Sequence, residues 1–466
     1  MVGIIFIASY SVVAVGLLLF FIRKSLQHET SLKKNILSWV FFGFLFNLFS
    51  FSWLYTAYPL IWLREGPLQL IGIGLLHLIV ASISGCCFFV VAYTFETRIS
   101  RRIHTHLKPL VFALSLTFAE VLRALAISVL YYGEGTTIDL NYAGSMLGNA
   151  LSATPFVEYA YYGGTFALTC ILGYLVYSVS SKKNIKSYWP HIVMICLLLI
   201  YIHYQVPAFG PHTKMRVSVV TTNFPSPTKD QNISEMFKVR SKKIHQMTMT
   251  LSSSSPTIIV YPEGSGYITN LPESSKKELN QYFSKTLFID ADITLYNDKL
   301  ANATLFYLTQ GEKEIRRGKS FLFPFNEYVP YIFMPIFKLF ISSDQMDQFT
   351  SWHSYTPMQS VKTIPFGEDG ISTLLCYEIT SFRVLHDIKK EKPSLVFFQS
   401  HSNIFHNNSW FTMHYYLYAK TAAAQLRRPL ISSVNGSPSY IISPYGEIIK
   451  IIPVGFSTST YIFYKR

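Results

Sequence analysis

The sequence predicts a chain in two parts, an α-helical transmembrane bundle followed by a layered α/β domain. Three observations carry that reading. Apolar residues crowd into the first two hundred positions and thin to ordinary globular levels after Lys214. The early apolar runs are long enough to cross a bilayer, whereas the later ones are short and separated by turn residues. With 466 residues, half of them hydrophobic and 14% charged, the composition disfavours a single soluble globule. The expected divisions are a six-helix transmembrane part over 1–209, a linker over 210–214 and an extramembrane catalytic domain over 215–466.

A bilayer core about 30 Å thick takes roughly 20 residues of apolar helix. The runs that qualify are 2–22, 36–63, 66–95, 109–132, 159–181 and 189–209. The first is too long and too poor in positive charge for a cleaved signal peptide, so it is expected to be a retained helix. Arg23, Lys24, Lys33 and Lys34 follow the first run; Arg98, Arg101, Arg102 and Lys108 follow the third; Lys182, Lys183 and Lys186 follow the fifth. The alternate loops hold little beyond Arg64, Glu65, Glu134 and Asp139. Because Lys and Arg in short loops favour the cytoplasmic side, the N-terminus and the C-terminal domain are both expected outside. The formal charge of +14 is read in the same terms, as topology and attraction to lipid headgroups. No basic stripe is interleaved with exposed aromatics, so no nucleic-acid partner is expected. Glu120 and Arg123 share a face of the fourth helix, as a structural ion pair or as a grip on a lipid headgroup. His77 in the third run reads as a packed residue rather than a ligand.

Beyond Lys214, strand-like runs at 216–222, 257–261, 293–296, 303–309, 395–399, 430–434 and 440–442 alternate with helical stretches such as 410–426. Strands apolar along most of their length imply a mixed sheet covered by helices. There is no phosphate-binding or dinucleotide-type glycine loop and no Cys/His spacing that would hold a metal, so neither metal nor cofactor is expected. Of five cysteines, Cys86, Cys87, Cys170 and Cys196 lie in apolar runs, leaving Cys376 alone in the second half with no disulfide framework.

Three short segments of that half carry chemistry. Val260-Tyr261-Pro262-Glu263-Gly264-Ser265 places a carboxylate at the end of a buried strand, where open α/β sheets bind ligands. The stretch from Gly318 to Pro330 holds Lys319 and a second carboxylate, Glu327. Leu374-Leu375-Cys376-Tyr377-Glu378-Ile379 presents a lone thiol at a strand end with an acid two residues on. Singly, each has a duller reading: a solvated cap, a surface lysine, an inert buried cysteine. Together they supply what thiol acyl transfer needs, namely a nucleophile, a carboxylate to move its proton and a cation for the oxyanion.

In this order the segments resemble the Glu-Lys-Cys triad of the carbon-nitrogen hydrolase (nitrilase) superfamily, and the first half narrows the likeness to the apolipoprotein N-acyltransferase family. Phe42-Gly43-Phe44-Leu45-Phe46 and Phe51-Ser52-Trp53-Leu54-Tyr55 look like that family's Gly/Phe-rich helix ending in Trp-x-Tyr. Glu120-Val121-Leu122-Arg123 is similar to its Glu-x-Leu-Arg helix, and Tyr162-Gly163-Gly164-Thr165 to its Gly-Gly turn. Pro324-Phe325-Asn326-Glu327-Tyr328-Val329-Pro330 matches its Pro-Phe-Gly-Glu-Tyr-Val-Pro except at Asn326, and Cys376-Tyr377-Glu378 matches throughout. The resemblance implies a nitrilase-like αββα sandwich on a helical bundle, with Glu263 as general base, Lys319 as oxyanion cation and Cys376 as nucleophile. Glu327, Tyr377 and Glu378 would support them. It also implies a phospholipid acyl donor, a diacylated lipoprotein acceptor and a bacterial inner membrane, with the catalytic domain on the periplasmic side.

The chain departs from the family at both ends and in two internal segments. It begins with what resembles the family's second helix and ends at Arg466 without a closing helix. The family's Asn-Asp-Ala-Trp-Phe-Gly is Ser402-Asn403-Ile404-Phe405-His406-Asn407 here, and its Arg-Ala-x-Glu-x-x-Arg helix is replaced by residues 420–428. The resemblance assigns both segments to the acyl and amine pockets, so these changes bear on the acceptor. His401 and His406 sit in an Asn/Ser-rich stretch that reads as a polar rim or surface. Alternatives to a lipoprotein acyltransferase are an enzyme with another amine acceptor, a membrane-anchored amidase using the same triad, and a non-catalytic binding paralogue.

Overall fold

The computed structural model describes residues 2–27, 31–59, 67–96, 103–104, 107–180, 185–225, 233–251, 257–340, 354–358, 363–406 and 408–464. Arg64, Glu65, Arg98, Arg101, Arg102, Lys182, Lys183 and Asn407, all used above, lie outside these.

Away from water every backbone N–H and C=O must be satisfied within the protein, and a helix does so within one segment. The first part accordingly forms α1 (Val2–Gln27), α2 (Leu32–Ser50), α3 (Pro67–Cys86), α4 (Phe89–Glu96), α5 (Lys108–Leu130), α6 (Ala160–Ser180) and α7 (Ile185–Gln205). Among the described residues, Leu32–Ala57, Gln69–Thr94, Lys108–Leu130 and Pro155–Ser180 are long and apolar enough to cross a membrane; Ile192–Gln205 is a shorter apolar helix.

The run expected as one helix over 66–95 is interrupted between α3 and α4. There Cys87 N bonds Ser84 O at 3.3 Å and Phe88 N bonds Gly85 O at 3.0 Å, a tightened i to i+3 turn. The interruption lies where α2 and α3 meet at two glycines. A Cβ on Gly43 would fall 2.9 Å from Gly85 Cα, and one on Gly85 would fall 2.6 Å from Phe44 N. Small residues are what allow helices in a membrane to touch backbone to backbone. Gly85→Leu is therefore expected to pry α2 from α3 and cost about 1–3 kcal/mol. A lowered melting temperature in detergent would register it, and an unchanged one would contradict the packing.

Glu120 and Arg123 are fully buried and form a structural pair. Arg123 Nε donates to Glu120 Oε2 at 2.5 Å, Leu147 N donates to Glu120 Oε1 at 2.9 Å, and Arg123 Nη2 donates to Gly144 O at 3.1 Å. The pair ties α5 to the connection before α6, and an enclosed pair has no face for a headgroup. His77 packs edge-on against Tyr55, with ring centres 5.2 Å apart.

The second part is a four-layer sandwich. Its strands are β1 (Met215–Thr221), β2 (Ile258–Glu263), β3 (Leu287–Tyr296), β4 (Lys299–Leu308), β5 (Lys313–Gly318), β6 (Ile364–Phe366), β7 (Asp369–Leu375), β8 (Leu395–His401), β9 (Leu430–Asn435), β10 (Ser439–Ile442), β11 (Ile448–Ile452) and β12 (Ser457–Phe463). One sheet runs β12-β1-β2-β3-β4-β5 and the other β11-β10-β9-β8-β7-β6. In each, three parallel strands form the middle, β1-β2-β3 and β7-β8-β9, with antiparallel strands outside them. Parallel strands need both faces covered. Val217, Ile258 and Ile289 of one sheet meet Ile371, Phe397 and Ile431 of the other in the central core.

Helices α8 (Ile233–Met249) and α9 (Glu273–Tyr282) cover the outer face of the first sheet through Ile244 and Leu279. A short helix, α10 (Met334–Phe340), follows β5. Helices α11 (Phe382–Glu391) and α12 (Ser409–Leu426) cover the second sheet through Val384, Phe411 and Ala422. The resulting order of layers is the αββα expected from the resemblance. Helix α12 is shared between the two parts: Met413, Leu417 and Ala424 join the apolar core of the helical bundle, while Phe411, Tyr415 and Ala419 pack on the second sheet. The break in α6 at Gly163 and Gly164 belongs to this seam. Gly164 has φ 57°, and a Cβ there would lie 2.7 Å from Gln425 Oε1 on α12.

Candidate active site

The three sequence segments converge at strand ends. Glu263 is the last residue of β2, Lys319 follows β5 directly, and Cys376 follows β7 directly. Lys319 Nζ lies 3.6 Å from Glu263 Oε1 and 2.7 Å from Glu327 Oε1. The Cys376 thiol faces the Glu263 carboxylate and lies 3.4 Å from the hydroxyl of Tyr415.

Cys376 has φ 47°, a left-handed conformation that costs a side-chain-bearing residue roughly 1–2 kcal/mol. It stands at the turn where β7 passes into a 3-10 segment, Cys376–Thr380. Glu378 holds that turn. Its Oε2 accepts from Leu375 N and Arg317 Nη1, both at 3.0 Å, and its Oε1 accepts from Ser320 N at 2.7 Å and Ser320 Oγ at 3.0 Å. One buried carboxylate thus joins the residue before Cys376 to the residue after Lys319. Glu327 plays the matching part for the lysine, accepting from Lys319, Asn302 and Phe323 N. The Asn326 departure is local: the left-handed residue of that turn is its neighbour Phe325, at φ 64°.

Burial sets the electrostatics. Burial pushes the Glu263 carboxyl up to about 7, with the Lys319 charge opposing and Glu327 reinforcing the shift. Burial alone would lower the Lys319 ammonium, but Glu327 and Glu263 outweigh it and hold the group above its usual range. The Cys376 thiol is pushed up to about 12 by burial and by the facing Glu263. Burial would raise Glu378, yet Arg317 and the N–H groups of Leu375 and Ser320 bring it below the ordinary carboxylate value. At neutral pH the site therefore holds a protonated thiol, a fixed ammonium and a carboxyl poised near half-ionisation. Such a thiol reacts by handing its proton to a base.

Aromatic side chains cluster beside the turn that carries Cys376. Tyr377 packs against Phe323 at 4.7 Å and Phe321 at 5.6 Å, and Tyr142 from the helical half packs against Phe321 at 5.2 Å. Trp53 reaches the same cluster from below, with ring centres 5.7 Å from Phe405 and 5.5 Å from Phe411.

His401 ends β8 rather than lying in a loop; burial and the Arg240 charge push its imidazole down to about 4, too low for a base at neutral pH. His406 is exposed, its Nε2 3.3 Å from Pro59 O. The stretch 420–428 sits largely at the seam with the bundle, where Arg427 Nη2 donates to Glu158 Oε2 at 2.8 Å.

Sequence reading missed Arg317, Ser320, Asn302 and Tyr415. Arg317 had a signal, since alternation along a strand puts it on the same face as Lys319 two residues on. Tyr415 had none, because a tyrosine in an aromatic-rich helix reads as core. No cluster of His, Cys, Asp and Glu that could hold a metal occurs among the described residues.

Fold and site together define a helix-based αββα protein with a part-buried thiol and carboxylate and a buried ammonium at its strand ends. Its curated relatives include the apolipoprotein N-acyltransferase of Aquifex aeolicus (strain VF5), 24% identical over 322 residues that make up 66% of this chain and 68% of that protein. The apolipoprotein N-acyltransferase of Vibrio vulnificus (strain CMCP6) is 24% identical over 342 residues, 66% of this chain and 61% of that protein. The match thus spans about two thirds of the first relative and less than two thirds of the second. No family model matches the chain. Among solved structures, Saccharomyces cerevisiae Nit3, a member of branch 10 of the nitrilase superfamily, covers 54% of this chain and 90% of its own at 14% identity and TM-score 0.39. An amidase from Nesterenkonia sp. covers 56% and 94% at 10% identity and TM-score 0.37.

Proposed function

We propose that this chain is a membrane N-acyltransferase that moves an acyl chain from a phospholipid, through a thioester on Cys376, to the α-amine of a diacylglyceryl-cysteine lipoprotein. The observation that carries the reading is the meeting of Glu263, Lys319 and Cys376 at three strand ends beside an apolar helical bundle. The names of the two curated relatives support the same class of activity.

In the first half-reaction Glu263 takes the thiol proton and the thiolate attacks the ester carbonyl of the lipid. The Lys319 ammonium stabilises the oxyanion that forms. Collapse breaks the C–O bond, Glu263 returns the proton to the departing lysophospholipid oxygen, and the acyl group stays on sulfur. In the second half-reaction the neutral amine attacks the thioester and gives a proton to Glu263. The C–S bond breaks, and that proton restores the Cys376 thiol. Both substrates use one site in turn, which gives ping-pong kinetics. Burying an acyl chain contributes about 0.8 kcal/mol per methylene, so both substrates stay in the bilayer and a bundle that brings the thiol to them is what the chemistry requires. In this reading the catalytic domain faces outward from a bacterial inner membrane, an orientation the loop charges support.

Labelled phospholipid added to the purified protein should leave an acyl adduct on Cys376, detected on its peptide by mass spectrometry and absent from Cys376→Ser. A diacylated lipopeptide should discharge it as amide. Release of free acid without an acceptor would mean a hydrolase instead, and no adduct would overturn the reading.

A further inference from the structure

We infer that Tyr415 is a further catalytic residue, donating its hydroxyl hydrogen bond to the Cys376 sulfur and so directing the thiol proton toward Glu263. This rests on the proposed role of Cys376 as the nucleophile. The Tyr415 hydroxyl lies 3.4 Å from Sγ, a distance at which either group could donate. The chemistry of the site decides between them. A thiol carries one proton, and in the proposed reaction that proton goes to the Glu263 carboxylate. What Sγ can still offer Tyr415 is a lone pair, so the phenol is the donor. The resulting chain runs from phenol to sulfur to carboxylate, each proton pointing the same way.

Its effect is differential. A hydrogen bond strengthens when its acceptor becomes charged, so the phenol favours the thiolate over the neutral thiol and over the thioester sulfur. It therefore acts when the thiol gives up its proton and again when the thiolate departs from the second tetrahedral intermediate. Interactions made only at such charged stages accelerate the chemical step. Burial works against the thiolate here, and Tyr415 is among the groups that offset it.

The phenol is held in place from both sides of the molecule. Its ring packs against Phe411 at 4.5 Å and Phe398 at 5.7 Å. One turn along α12, the hydroxyl of Tyr418 accepts from Ser145 N at 2.8 Å. Ser145 lies in the connection that Glu120 and Arg123 clamp through Leu147 and Gly144. The helix that aims Tyr415 is thus positioned by the buried ion pair of the membrane half.

The test is the pH dependence of Cys376 alkylation by iodoacetamide in the purified full chain, followed on the Cys376 peptide and paired with phospholipid adduct formation. In Tyr415→Phe, which keeps the ring, both rates should fall about tenfold and the alkylation profile should move up by about one pH unit, as expected when a hydrogen bond to a charged group is lost. Melting temperature should be unchanged. Tyr416→Phe, at the next residue on α12, whose ring packs on Tyr440 at 5.3 Å, should leave the thiol profile where it is. A wild-type profile in Tyr415→Phe overturns the inference, as does an equal shift in Tyr416→Phe, which would trace the effect to helix packing. If the wild type forms no acyl adduct, the acyltransferase reading fails; a shifted alkylation profile would still establish the phenol as the thiol's donor.

Discussion

Replacing Glu263 by Gln is expected to slow acylation of Cys376 by about 10²- to 10⁴-fold, the usual contribution of a positioned general base. The amide cannot accept the proton of a thiol that burial has pushed up to about 12, and the Lys319 charge alone does not bring that thiol near neutrality. The pH profile carries a second signature. In the wild type the reactive form has Glu263 ionised, so the acylation rate should rise with pH through about 7 and level off above it. Glu263→Gln should lose that ascending limb.

The stability effect has the opposite sign. A carboxyl whose folded pKa is raised contributes stability that is present below its unfolded pKa and lost as pH rises through the folded value. Ionised Glu263 therefore strains the fold above about pH 7, and Glu263→Gln should melt no earlier than the wild type there. Single-turnover labelling with phospholipid and thermal melts on the same samples check both halves. A variant that keeps the wild-type rate would remove Glu263 from the mechanism.

Removing Glu378 is expected to be the most damaging change to the fold of the site. Arg317 and Glu378 are both buried, 3.0 Å apart, and Glu378→Ala leaves the guanidinium without its counter-charge. Breaking one side of such a pair costs about 3–5 kcal/mol. It also frees the N–H groups of Leu375 and Ser320, so Cys376 and Lys319 lose their common anchor. Because the carboxyl is held below its ordinary value, its stabilisation is present above the unfolded pKa and lost as pH falls through the lower folded one. Denaturant melts at neutral pH should show the loss, and the gap between variant and wild type should close in acid. Glu378→Met combined with Arg317→Met should be milder than Glu378→Ala, since it leaves no buried charge unpaired. A single variant as stable as the wild type would refute the anchoring role.

Much of this architecture was legible from residue order. The length of the apolar runs gives their helices, and runs of apolar residues near 258–263 and 395–401 give strands buried on both faces. Glu263 and Cys376 were legible as candidates because each stands where a strand gives out, where layered α/β proteins bind ligands, and Lys319 because an apolar stretch and a second carboxylate follow it. Other features were hidden by their dependence on distant partners. The break between α3 and α4 accompanies the approach of Gly43 to Gly85, and α6 breaks at Gly164 beside Gln425, 261 positions further on. The run read at 293–296 is the exposed end of β3, whose buried part, 287–291, it left out, and the run at 303–309 covers the buried part of β4.

The sequence by itself determined which candidate groups the chain carries and which half holds runs long and apolar enough to cross a bilayer. Both depend on residue type and on runs of hydrophobicity, which are local properties. Only the tertiary structure decided how the groups work on one another. Glu263 and Cys376 are 113 positions apart, and their pKa values move because burial brings a carboxyl, an ammonium and a thiol together out of water. The same holds for Tyr415, an ordinary core tyrosine until α12 lays its hydroxyl against the sulfur. Desolvation and close approach belong to the packed molecule, and no stretch of sequence contains them.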